Sequence, residues 1–143
     1  MKSKRFILSI VLLALIAAVT FAGCNDDNGG ADTPTVATED VQTIGQGATV
    51  FRFEMIDENE AVSAWDVHTD ETTVGAALLD VGLIAGEESE WGLMVMEVDG
   101  VVADWDANQS FWAFYVDGGF AMAGVDETDI ESGVTYAFVY TQG

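Results

Sequence analysis

The densest set of chemistry-bearing side chains is the run Phe111, Trp112, Phe114 and Tyr115, with Trp91 and Trp105 earlier in the chain. Alternation along an extended strand puts Trp112, Phe114 and Val116 on one face. Left uncovered, Trp112 and Phe114 form a flat apolar platform for a planar ring system, with Tyr115 as a polar handle. The competing reading makes that row the core of a sheet packed against a helix. Trp105 falls in a loop, where a binding role is commoner than on a strand. Trp112, Phe114, Tyr115, Trp105 and Trp91 are therefore the candidate ligand-binding residues.

Asp104, Asp106 and Asn108 place oxygens at every second residue. Calcium loops open with that spacing, because alternate side chains of a tight turn can converge on one hard cation. Gln109 stands where an EF-hand needs glycine and Tyr115 where it needs a bidentate Glu, so the Ca2+ site expected is an irregular one. Solvated Asx turns are the alternative. Asp126, Glu127, Asp129 and Glu131 make a second acidic cluster. His68 is the single histidine, expected on the outward face of a strand and solvated.

No serine sits in a nucleophile elbow, and no phosphate-cradling glycine loop or metalloprotease motif is present. Carboxylate pairs arise by chance in so acidic a chain and carry no weight for glycoside chemistry. The sequence reads as a non-enzyme.

The elements that must position these residues begin after a leader. Lys2, Lys4 and Arg5 precede residues 6–22, which carry no charge, and the stretch ends in Phe21-Ala22-Gly23-Cys24. A basic end, an apolar segment and small residues before a cysteine form a lipoprotein signal peptide over residues 1–23. A retained transmembrane anchor is the rival, on an apolar stretch of marginal length. Cys24 is the only cysteine, so no intramolecular disulfide can form. Lipidation at Cys24 explains it, and two or more acyl chains give lasting attachment to the outer face of the bacterial cell membrane.

All 25 acidic residues follow Cys24, and Arg52 is the one Lys or Arg beyond it, so the formal charge of that part is 1 minus 25, or −24. Such a field repels nucleic acid and favours cations or cationic partners. Residues 24–47 are rich in Asn, Asp, Gly, Thr and Ala, include Pro34 and lack aromatics, which reads as a flexible acidic tether. Residues 48–143 suffice for one domain.

Within it, Phe51, Phe53 and Met55 alternate with Arg52, Glu54 and Ile56, a half-buried strand that turns at residues 57–60 into a second strand over residues 64–69. Thr72 or Thr73 caps a helix striped by Val74, Ala77, Leu78 and Val81, and Gly82 stops it. Residues 87–90 read as a solvated turn, residues 91–98 as a strand buried on both faces, and Asp99-Gly100 as a tight turn. An aromatic strand over residues 111–116 and a last strand over residues 134–141 complete the domain. The prediction is an α+β fold, a small mixed β-sheet with one packed helix, in an order that fits a β-grasp arrangement.

Four segments carry a resemblance: TTVGAALLDVGLI (72–84), WGLMVMEVDG (91–100), QSFWAFYVDGGFAMAGVDETDI (109–130) and SGVTYAFVYT (132–141). Together they resemble the C-terminal domain of transcobalamin and intrinsic factor, found also as a domain of unknown function in bacterial lipoproteins. Phe111, Asp117 and Val134 depart from the Tyr, Asn and Asp common there. The resemblance implies a β-grasp fold and, for the vertebrate members, a part in enclosing cobalamin alongside a second, helical domain. The expectation is a membrane-anchored extracytoplasmic module that captures a small apolar or planar nutrient, a cobalamin or other corrinoid among them, and works with a membrane transporter. The rival is a structural or adhesion module of the cell envelope with calcium-binding acidic loops.

Overall fold

The computed structural model describes residues 40–143. The expected signal peptide, Cys24 and the tether as far as residue 39 lie outside the described residues. Among the described residues no helix is long and apolar enough to cross a membrane.

The period-two pattern that opens the domain becomes strand β2 (Thr49–Ile56), with Phe51, Phe53 and Met55 buried and the residues between them half-buried or exposed. Asp57 turns the chain by accepting hydrogen bonds from the Asn59 and Ala61 backbone N–H groups at 2.8 and 2.9 Å. The returning strand β3 (Val62–Thr69) pairs antiparallel, setting Phe53 opposite Trp65, and the two rings stack at 5.7 Å. Ahead of both, β1 (Gln42–Gly45) runs parallel to β3, so strand structure begins inside the segment expected to be tether. One apolar side chain, Ile44, packs on the core, and backbone pairing holds the rest.

Helix α1 (Val74–Asp80) starts where Thr73 Oγ1 accepts from the Ala76 N–H at 3.3 Å. It ends at Gly82 (φ 71°), where the Gly82 N–H donates to Leu79 O and the Leu83 N–H to Leu78 O, the paired bonds of a Schellman stop. Val74, Ala77 and Leu78 are buried. Gly75 lies against a 3-10 turn (Val125–Glu127), so closely that a Cβ there would sit 2.8 Å from Asp126 Cα.

Next come β4 (Ile84–Ser89), β5 (Gly92–Val98) and β6 (Val101–Val102), which form a second, three-stranded sheet. Residues 87–90 are thus mostly strand rather than turn. Their outward-pointing side chains hid a pairing made through backbone. Nor is β5 buried on both faces: Met94 is exposed, because only one side of this sheet meets the core. The turn at Asp99 (φ 46°) and Gly100 (φ 78°) has the left-handed pair that a type I′ hairpin requires.

After the short helix α2 (Trp105–Asn108), β7 (Ser110–Val116), β8 (Gly119–Phe120) and β9 (Thr135–Gln142) complete the larger sheet in the order β1-β3-β2-β9-β7-β8. β9 enters its middle, parallel to β2 and antiparallel to β7. The fold is α+β and mostly strand. Two sheets stand where one was expected, and α1 and the smaller sheet together cover the core face of the larger. Tyr136 and Phe138 of β9 are its most enclosed aromatics together with Phe53.

Candidate functional site

Alternation put Trp112 and Phe114 on one face correctly, but the platform expected there is covered. Trp112 is 6% exposed, its Nε1–H donates to the Val101 carbonyl at 3.2 Å, and its ring meets the Tyr140 ring edge-on at 5.4 Å. Phe114 is 9% exposed and lies against Tyr136 and Phe138. The cover is β5 and the 3-10 turn rather than a helix. Tyr115 points to the opposite face, half-buried, edge-on to Phe120 at 5.7 Å, and so offers no polar handle to a ligand held by Trp112. Trp91, in the β4–β5 turn, is 86% exposed.

The cover is incomplete. Between β5 and β7 lies a cavity of about 250 Å³ whose floor is Trp112 and Phe114 and whose walls include Leu93, Met94, Phe111 and Val125. A second cavity of about 160 Å³ is lined by Met94, Met96, Asp104, Trp105, Asp106 and Phe111. Met94, Val95 and Phe111 line both, so the two are adjoining lobes of one groove. Trp105, 56% exposed, stands at its rim, 6.1 Å from the Phe111 ring and tilted to it by 58°. A groove with apolar walls and few polar groups is the usual form of a small-molecule site.

Local hydrogen bonds fix Trp105 there. Asp104 Oδ1 accepts from the Asp106 and Ala107 N–H groups at 2.9 and 3.1 Å, capping α2, and Gln109 closes the turn in the left-handed region at φ 59°. Ser110, 1% exposed, is the knot beneath. Its Oγ accepts from the Asp104 N–H at 2.9 Å and donates to Asn108 Oδ1, which also accepts the Ser110 N–H. Asn108 Nδ2 donates to Tyr140 Oη at 3.1 Å.

In this geometry the alternate oxygens of Asp104 and Asn108 have local uses. Asp104 and Asn108 direct their oxygens at protein donors, so their alternate spacing serves a helix cap and an Asx turn. Among the described residues no group of three or more His, Cys, Asp or Glu side chains could hold a metal ion. The second acidic cluster disperses too. Glu127 and Glu131 are exposed, Asp129 bridges to Thr73, and Asp126 keeps a buried Oδ1 that has no hydrogen-bond partner.

The charge near the groove has one sign. Arg52 donates from Nε to Asp66 Oδ1 at 2.8 Å, and both alternate with core residues, so the pair lies on the face of the large sheet turned away from the groove. As an exposed pair it adds little stability. His68, opposite Val50, shares that face and is half-buried. Beneath the groove floor, burial pushes the Tyr136 phenol above the ordinary tyrosine range, against the Glu131 N–H that it accepts at 2.9 Å. It donates to the Asp129 carbonyl at 3.1 Å.

A larger depression of about 320 Å³ lies elsewhere, lined by Ile56, Asp57, Glu58, Glu60, Val139, Tyr140 and Gln142. It has one aromatic wall and three carboxylates around a surface turn, and suits a flat apolar ligand less well. Phe111, Met94 and Met96 were not identified as groove residues from the sequence. Strand parity assigns Phe111 to the other face, but it is the second residue of β7, where β8 does not reach, and so lies at a free sheet edge.

Residues 71–142 match the family described as a domain of unknown function, DUF4430. The chain belongs to that family. The match spans α1 through β9 and leaves the β2–β3 hairpin outside it. No curated protein matches this DUF4430 chain. Among solved structures it is similar to a protein of Ruminococcus gnavus, assigned provisionally to metal binding, with 24% identity and a TM-score of 0.64 over 67% of this chain and 99% of that one. It is also similar to haptocorrin in complex with Cbi, with 13% identity and a TM-score of 0.50 over 66% of this chain. The chain spans a quarter of haptocorrin's length. Both likenesses are likenesses of fold.

Proposed function

We propose that this chain is a capture module tethered through a lipidated Cys24 to the outer face of the membrane, taking a small, largely apolar or planar nutrient and passing it to a membrane transporter. It binds its ligand and does not transform it. A corrinoid is the first candidate, and the transcobalamin-like β-grasp core is the frame. The strand order β3-β2-β9-β7, with β2 and β9 parallel and α1 following the hairpin, supports that frame. The carrying observation is the two-lobed groove, where Trp105 and Met94 remain exposed beside a floor of buried aromatics. Burial of a planar apolar ligand there gains about 25 cal/mol per Å² removed from water.

Titration with cobalamin and related tetrapyrroles, read by visible absorbance and thermal melting, tests the proposal. A ligand present at about a hundred times its Kd stabilises the fold by about 2.7 kcal/mol. The absence of both a spectral shift and a rise in Tm at millimolar ligand would overturn it. A rise with calcium alone would favour the envelope-module reading.

A further inference from the structure

The smaller lobe pairs two features that seldom share a wall. Trp105 and Phe111 stand tilted at 58° with centroids 6.1 Å apart, Met94 and Met96 supply thioethers, and the polar lining includes two carboxylates, Asp104 and Asp106. We infer that this lobe receives an alkylated or quaternary ammonium head group and that the adjoining lobe takes the apolar body attached to it. The inference rests on the capture reading and adds the charge class of the ligand.

Three observations carry it. Aromatic faces are electron-rich and attract a cation lying within about 6 Å, most strongly at tryptophan, and recognition of methylated ammonium groups is the common functional use of such a corner. The lobe's volume of about 160 Å³ is close to the roughly 150 Å³ of a cavity that takes benzene, enough for a compact head group and small for a tetrapyrrole. Charge decides the rest. Arg52, the one Lys or Arg of the described residues, lies on the far face and is already paired with Asp66. An anionic ligand would meet carboxylates with no compensating cation, whereas apolar walls of low dielectric focus the field of Asp104 and Asp106 on a positive one.

The test titrates the full chain, in a nonionic detergent at low salt, with benzyltrimethylammonium, its neutral carbon isostere and phenylacetate, reading indole fluorescence. The cation is expected to bind about five- to tenfold more tightly than the isostere, with phenylacetate weakest. Trp105→Leu should remove most of that preference. Asp104→Asn with Asp106→Asn should weaken the cation alone, since asparagine keeps the α2 cap and unchanged melting verifies the fold. Equal binding of cation and isostere overturns the charge assignment and leaves capture of uncharged planar ligands standing. No response to any of the three at about 10 mM overturns the ammonium site, while the tetrapyrrole titration decides the capture reading by itself.

Discussion

Trp105 and Trp112 are seven positions apart and line the same groove, yet one is a rim residue and the other a floor. Trp112 sits mid-strand in β7, flanked by β9 and covered by β5, where its indole N–H finds the Val101 carbonyl. Trp105 opens a four-residue helix whose cap, Asp104, and stop, Gln109, turn the ring outward. Side-chain type is identical. The difference lies in the neighbouring backbone, which encloses one indole and presents the other.

The sharpest way to break the contrast is truncation. Trp112→Ala should cost about 3–5 kcal/mol by leaving a core cavity, whereas Trp105→Ala should stay within about 0.5 kcal/mol, both read by chemical denaturation. Similar costs at the two positions would erase the distinction. Binding should respond in the reverse sense, with Trp105→Ala folded and impaired.

A smaller effect is expected beneath the floor. Tyr136→Phe removes a phenol that bonds the Asp129 carbonyl and the Glu131 N–H, and should cost about 1–2 kcal/mol. Because the folded phenol titrates above its unfolded value of about 10, its stabilising share is complete below that pH and lost as pH rises through the raised value. Melting curves above pH 10 should therefore be shallower in pH for the Phe variant than for the parent. Identical pH dependence would mean that the phenol is solvated.

The mildest test addresses the rim. Asp104→Ala should cost about 1 kcal/mol and loosen Trp105, while Asp104→Asn should melt as the parent does. Comparison of Trp105 fluorescence anisotropy in the two variants checks it, with greater mobility expected for Ala alone.

Much of this frame was legible in the residues. Phe51, Phe53 and Met55 marked β2 by alternation, Thr73 and Gly82 bracketed α1, and the left-handed pair at Asp99-Gly100 fell where a tight turn was expected. What escaped was structure held by backbone. β1 offers one apolar side chain, and β4 projects glutamates outward, so neither carries a periodic signal although each pairs along one side with its neighbour. The groove was half legible. Trp105 was identified from its loop position, but Phe111 required knowing that β8 stops short of it, and the cover over Trp112 required placing the second sheet. The Asp104, Asp106 and Asn108 spacing was ambiguous, because a helix cap and a calcium loop both put oxygens on alternate residues.

Amide chemical-shift mapping on addition of cobalamin locates a planar ligand directly. Perturbations are expected to concentrate at residues 93–96, Trp105 and Phe111, the walls of the groove. Perturbations centred instead on residues 56–60 and 139–142, around the larger acidic depression, or a spectrum that does not change, would contradict that expectation.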